Sequence, residues 1–475
     1  MKRFRAAPVL SYLINSPCGF PRPASPCPTS PLSISRFSVL RLLVSVVLTF
    51  CLASCTDDSP TPPPPPASAT IELSLDEAGV TEVWLRVKVS GVLLPTAWVL
   101  ERNGINAIAL NTAPADTVIM DDSLEPGQMQ NYRAIRFENQ TRVDSTPVLG
   151  ICTLDTTSHV FTWKIEYLGV ASLSTLYDVA IINDTLAYAV GEIYLRDSTG
   201  NTDPTPYNAA RWNGVDWEVM RVPYIFAGHP VISEVRWIFP LGESNILFGN
   251  SVRWNGSGWE NADLGASIFP GIRSNKMWGS SSEDLYWVGS LGTIAHFGGG
   301  SWKSIPSGTA LPIRDVYGNV AANRGEVLAI ASNLSENQGI RLLSLDPNGS
   351  RDVSINGLSW RLTGVWFISG RYYVVVGDGL FVKRRIDDGN PWDDLAPGLT
   401  VYFIQAVRGS GLNNIVAVGD FGSVLHFNGY SWKNLHVETA IDGIYTAVSL
   451  RGRMVMAVGQ SSAGAVILRG MALSP

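Results

Sequence analysis

One phrase returns about every 40 residues, and that recurrence constrains this chain more than any other feature. A run of small apolar residues ending in Gly appears as Ala189-Val190-Gly191, Leu247-Phe248-Gly249, Trp287-Val288-Gly289, Val375-Val376-Gly377, Ala417-Val418-Gly419 and Ala457-Val458-Gly459. A seventh copy, Leu328-Ala329-Ile330-Ala331, has lost the glycine. Ahead of each copy an apolar residue opens a strand: Val179, Val235, Met277, Val316, Val365, Val407 and Val448, spaced 56, 42, 39, 49, 42 and 41 residues apart. A fixed period of this length means that one small unit is stacked repeatedly, because a single unit cannot bury its own apolar face.

After the glycine comes a third apolar run and then a turn leading to Trp. The clearest cases are Asn213-Gly214 before Trp217, Asn255-Gly256 before Trp259, Gly298-Gly299 before Trp302 and Asn428-Gly429 before Trp432. Asn-Gly between two apolar runs is a strong hairpin signal, since both residues tolerate positive φ. Each unit therefore reads as four short strands, the content of one β-propeller blade. Seven copies predict an all-β, seven-bladed propeller over 155–475. The seventh copy ends at Arg469-Gly470-Met471 without its Trp-led fourth strand, while Thr162-Trp163-Lys164-Ile165-Glu166-Tyr167-Leu168 stands alone before the first copy. Residues 155–169 are thus expected to supply the outer strand of the last blade and to cover an otherwise bare edge.

The first 54 residues hold six Lys or Arg and no Asp or Glu. They read as a cleaved signal region, with residues 1–35 an over-called start and translation beginning nearer Arg36. The run Leu42 to Ala53 is too short to span a bilayer and fits a secretory signal. It ends in Leu52-Ala53-Ser54-Cys55, which resembles the bacterial lipobox. That resemblance implies lipidation of Cys55 and a partner in the membrane, since buried acyl chains anchor a protein without a spanning helix. Thr56 follows the cysteine, so the inner-membrane retention signal is absent. Cys-Thr-Asp-Asp resembles the acidic export signal of Bacteroidetes surface lipoproteins, which places the expected location at the outer membrane or cell surface. Residues 55–69, with five consecutive prolines from Pro62 to Pro66, read as a stiff spacer. Residues 55–475 keep 29 of the 35 basic residues and all 41 acidic ones, a net charge of about −12. Such a balance argues against a nucleic-acid partner. With Cys55 lipidated, no disulfide framework is expected, and the Cys152 thiol is expected to be buried.

Residues 70–154 alternate polar and apolar positions between turn signals, the pattern of an antiparallel sandwich. The run Leu124-Glu125-Pro126-Gly127, followed by Tyr132-Arg133-Ala134, resembles the end of a fibronectin type III domain. The corner position of that family is taken by Gln130, with Tyr132 two residues on. Trp84 and Trp98 are expected in the sandwich core. Together with Asp155 to Trp163 and Leu176 to Ile182, the chain resembles a β-propeller family of lipoproteins from Bacteroidetes and related bacteria. That family has no assigned activity, so the resemblance implies architecture and location only.

Loops on a rigid scaffold are where binding residues gather. The turns after second strands, and the linkers between blades, are expected to meet at one mouth. The candidate binding residues there are Asp178, Arg314, Asp315, Asp378 and Asp420. Asp378 and Asp420 also serve as ordinary turn residues. The insertion Asp197 to Asp203 alternates oxygen ligands as calcium loops do but lacks the closing Glu. The loop with Asp387, Asp388, Asp393 and Asp394 reads as solvated. His296 and His426 fall at equivalent strand positions, which points to repeat packing. The chain shows no nucleophile elbow, zinc spacing or phosphate loop, and Ser301-Trp302 and Ser431-Trp432 match only the tail of a sialidase Asp box. The reading expects no enzyme, cofactor or metal. It leaves a lipid-anchored scaffold that binds a protein or glycan, with a periplasmic outer-membrane assembly factor as the alternative and a propeller glycoside hydrolase last.

Overall fold

The computed structural model describes residues 69–473, apart from 172, 266, 322 and 323. Cys55 and the rest of the signal and spacer region lie outside the described residues. The described chain is all-β, with a single four-residue helix, His436–Thr439.

Residues 70–152 form two antiparallel sheets. Thr70–Ala78, Val83–Ser90 and Asp116–Asp121 make the first, while Ile105–Ala113, Thr96–Arg102, Met129–Glu138 and Thr141–Ser145 make the second, with Leu149–Cys152 also pairing on Met129–Glu138. Alternation along Val83–Ser90 sends Val83, Leu85, Val87 and Val89 inward, against Trp98, Leu100, Tyr132 and Ala134. Trp98 therefore lies in this core as expected, but Trp84 does not. It points to the opposite face, where the Arg371 guanidinium of the repeat region lies 4.7 Å over its ring. Tyr132 is fully buried, and its hydroxyl donates to Asp121 Oδ2 at 2.8 Å. Cys152 corrects a second expectation: it is half-buried and disulfide-bonded, although no disulfide was foreseen.

Among the described residues, 161–472 form seven separate four-stranded antiparallel sheets, numbered one to seven in chain order and covering 175–220, 238–261, 274–304, 313–353, 362–394, 404–434 and 444–472. In the first six the strands follow chain order from the inner to the outer edge. The seventh runs Ile444–Arg451, Met454–Ser461, Gly464–Ala472 and then Phe161–Leu168, with Trp163 opposite Gly470. No sheet closes on itself. Seven apolar clusters each join two consecutive sheets, and the cluster around Val179, Ala189, Met456 and Ile467 joins the seventh to the first. The arrangement is that of a β-propeller.

The recurring glycine has a steric cause. In six sheets the first strand carries a β-bulge near its start. In four of these sheets a backbone carbonyl at the start of the first strand sits where a side chain on the facing strand would begin. A Cβ on Gly191, Gly377, Gly419 or Gly459 would stand 2.1, 2.0, 2.1 or 1.8 Å from the carbonyl oxygen of Thr175, Arg361, Phe403 or Ile444. Sheet four keeps its bulge with Ala331 in that place. Two details of the repeat need correction. In sheet two the strand marker is Ile238, opposite Phe248, rather than Val235, which precedes the strand and fills the same core. At the hairpins only the glycines take positive φ, at 97°, 93° and 93° for Gly214, Gly256 and Gly429. The Asn contributes through its side chain, as when Asn213 Oδ1 accepts from the Val215 and Asp216 amides.

Candidate functional site

Each bulge extrudes one residue, and the six extruded residues are Tyr177, Asn275, Arg314, Thr363, Gln405 and Thr446. With Arg236 just ahead of the sheet-two strand, they line one cavity of about 190 Å³ at the mouth of the central channel. Three of them also tie each sheet to the next. Asn275 Nδ2 donates to Ile313 O at 2.8 Å, Thr363 Oγ1 to Ile404 O at 2.8 Å, and Thr446 Oγ1 to Leu176 O at 2.9 Å. The last of these joins sheet seven to sheet one.

The floor of the cavity is a layer of ion pairs. Asp178 in sheet one takes Lys276 Nζ of sheet three at 2.7 Å, and Asp315 in sheet four takes Arg408 of sheet six at 2.7 and 2.8 Å. Each aspartate also accepts the inner-strand amide of the following sheet, Ile238 N at 3.1 Å and Val365 N at 3.0 Å. A fully buried carboxylate needs such saturation. Burial works against the Arg408 charge, but the Asp315 carboxylate, by charge and hydrogen bonds, holds that guanidinium above its usual range. Below this layer lies a second cavity of about 240 Å³, whose wall includes Trp278, Tyr317 and Ser449.

The structure thus brings Asp178, Arg314 and Asp315 to the channel. Arg314 lines the upper cavity, where its Nε donates to Ser332 O at 2.9 Å. Asp378 and Asp420 line neither channel cavity. Asp378 accepts from Arg361 Nε at 2.8 Å, and Asp420 accepts from Gln405 Nε2 at 2.9 Å, on the rim. Lys276, Arg408 and Arg236 were missed in the sequence. Their signal was a charged residue next to the strand marker, before Met277 and after Val407.

The remaining candidates have local work. Asp197 Oδ1 accepts from the Thr199 and Asn201 amides, and Asp203 pairs with Arg221 at 2.6 Å. Among the described residues no group of three His, Cys, Asp or Glu side chains is placed to hold a metal ion. His296 meets Asp284 at 2.7 Å and His426 meets Asn414 at 3.2 Å, the same contact in two sheets. A larger cleft of about 720 Å³ runs between Trp84 and sheets four and five. Arg371 there is already paired with Asp76, and Arg351 lies 3.8 Å from Asp387. That cleft is a seam between the sandwich and the propeller.

No protein-family model matches the chain, and no curated protein matches it. Solved structures do resemble it. One described as YCF48 bound to D1 peptide is 14% identical, covering 67% of this chain and all of its own at a TM-score of 0.48. YCF48 from Cyanidioschyzon merolae is 16% identical over 65% of this chain and 98% of its own, TM-score 0.46. The WD40 β-propeller domain of Doa1 is 12% identical over 66% and 97%, TM-score 0.45.

Proposed function

We propose that this chain is a lipid-anchored envelope scaffold. In this reading a seven-bladed propeller, closed by its own N-terminal strand, presents the channel mouth to a partner protein. The observation that carries the reading is the cavity ringed by seven equivalent positions, one from each sheet, above a floor of saturated ion pairs. The floor fixes the ring, and only the rim residues differ enough between sheets to select a ligand. The closed ring is supported by the pairing of Phe161–Leu168 with Gly464–Ala472 and by the core shared between sheets seven and one. The strand order of the sandwich, with three strands facing four or five, supports a fibronectin type III-like spacer. The role in this reading is non-catalytic: the candidate carboxylates Asp178 and Asp315 each hold a cation and an amide.

A photo-reactive side chain in place of Leu291, at the sheet-three turn on the mouth face, is expected to capture an envelope protein. The same group at Val215, on an outer hairpin, is expected to capture none. Equal capture at both positions would remove the mouth from the account. Anchoring is tested separately. Cys55→Ser is expected to move the protein from the detergent phase to the aqueous phase, and unchanged partitioning would contradict lipidation. In a chain cleaved before Cys55 only Cys55 and Cys152 remain. The Cys55 thioether and a Cys152 disulfide then exclude each other within one molecule, and the proposal takes the thioether. Protection from external protease in intact cells would turn the scaffold role toward periplasmic assembly.

A further inference from the structure

The upper channel cavity has an unusual charge for an acidic protein. Its wall carries four cationic side chains, Arg236, Lys276, Arg314 and Arg408, and one carboxylate, Asp315. Three of the cations are spoken for: Lys276 by Asp178, Arg408 by Asp315, and Arg236 by Glu234 at 2.6 Å. Arg314 is not. Among the described residues no carboxylate pairs with it, and its terminal nitrogens donate to no protein acceptor. Arg314 is half-buried, and partial burial lowers its pKa with no neighbouring carboxylate to raise it. A guanidinium in that state gains most from a carboxylate that arrives with a ligand.

The cavity volume narrows the choice of ligand. About 190 Å³ is small beside the roughly 300–1,000 Å³ of a pocket built for a whole small molecule. It admits one side chain or one chain end. Around it the mouth face presents apolar groups: Leu291 and Phe421 are exposed on their turns at φ of 56° and 55°, and Val401 is exposed in the linker between sheets five and six. Bulky side chains seldom sit at positive φ, and such positions gather at binding sites. We infer that the mouth captures an acidic protein segment, with Arg314 as the counter-ion of one carboxylate and the exposed rim as its apolar seat. The inference rests on the mouth being the binding face.

The test uses the full chain and two labelled twelve-residue peptides, one alternating Glu with Leu and one alternating Gln with Leu, read by fluorescence anisotropy. The Glu peptide is expected to bind about tenfold more tightly or better, the effect of one charge-assisted pair. Arg314→Gln should abolish that preference, and Arg314→Lys should retain part of it, with both variants melting near the parent. Loss of preference on Arg314→Gln alone supports the inference. A Glu peptide bound equally by Arg314→Gln, or no preference in the parent, overturns it. Stronger binding of a polygalacturonate oligomer than of the Glu peptide would overturn the protein half. Should the preference fail while Leu291 still captures a protein, the scaffold reading stands without this ligand. Should both fail, both are lost.

Discussion

Asp178 and Asp315 show how a functional-looking residue can be structural. Each accepts an amide of the next sheet and a cation from two sheets away, so neither has capacity left for a ligand. Sequence reasoning found both aspartates but not this role, because the partners lie 98 and 93 residues away. Only the fold brings them within reach. Arg314, found on the same grounds, keeps its candidacy because no carboxylate among the described residues pairs with it. Asp315→Asn should strand the buried Arg408 and cost about 3–5 kcal/mol, by denaturant unfolding. Asp420→Asn, on the rim, should cost within about 0.5 kcal/mol. Equal costs would mean that the floor is not a stability element. A second residue-scale prediction concerns His426, which lies Nδ1 to Nδ1 at 2.8 Å from His159 and near Thr157, Asn414 and the Phe161 ring. Burial, and then His159, push its pKa from 6.5 down to about 3, while burial and Lys433 lower that of His159. Below pH 6.5 the unfolded chain takes up protons that the folded chain refuses. Stability is therefore whole above about pH 6.5 and falls toward pH 3, by up to about 1.4 kcal/mol per pH unit per group. His426→Gln should flatten that slope in a pH series of melts. An unchanged slope would assign the acid sensitivity elsewhere.

At the scale of strands and sheets, much of the fold was legible because in sheets one, five, six and seven a close backbone carbonyl forces the repeat glycine. A carbonyl about 2 Å from a would-be Cβ tolerates little else, so the glycine marks the second strand in those four sheets. The marker in sheet two was misplaced by three residues because its first strand begins late, at Ile238. Trp84 was misassigned because alternation gives a two-sided strand without saying which side a second domain covers. The bulges themselves leave no trace in single-sequence patterns, so the ring of extruded residues was not foreseen. The outer strand Phe161–Leu168 was foreseen from its likeness to the Trp-led strands, and it buries Phe161, Trp163 and Ile165 against the core of sheets six and seven. At about 25 cal/mol per Å² of apolar surface, losing a Trp and two large apolar neighbours costs several kcal/mol, comparable to the whole stability of many domains. A chain beginning at Ser174 should therefore aggregate, or melt far below one beginning at Asp155. Equal melting temperatures would show that the strand is dispensable.

For the whole molecule, the buried apolar residues of the sandwich and those of the propeller fall in separate clusters. The sandwich and the propeller meet in a polar seam, where Asp76 pairs with Arg371 and Glu82 lies 3.5 Å from Arg384. The linker is held down as well, with Asn413 Nδ2 donating to Asp155 O at 2.9 Å and Thr157 N to Asn428 O at 3.3 Å. The sandwich thus steadies the strand that follows it, and that strand joins the beginning of the propeller to its end. Everything proposed for the mouth depends on the ring being closed in this way. The most direct measurement is a cross-link in the full chain between the paired residues Lys164 and Arg469. Lys164→Cys with Arg469→Cys should form a disulfide on mild oxidation, shift mobility on a non-reducing gel and raise the melting temperature, since the loop it closes is long. Lys164→Cys with Leu468→Cys, on the opposite face of the strand, should not. Cross-linking in the second pair but not the first, or in neither, would contradict the closed ring.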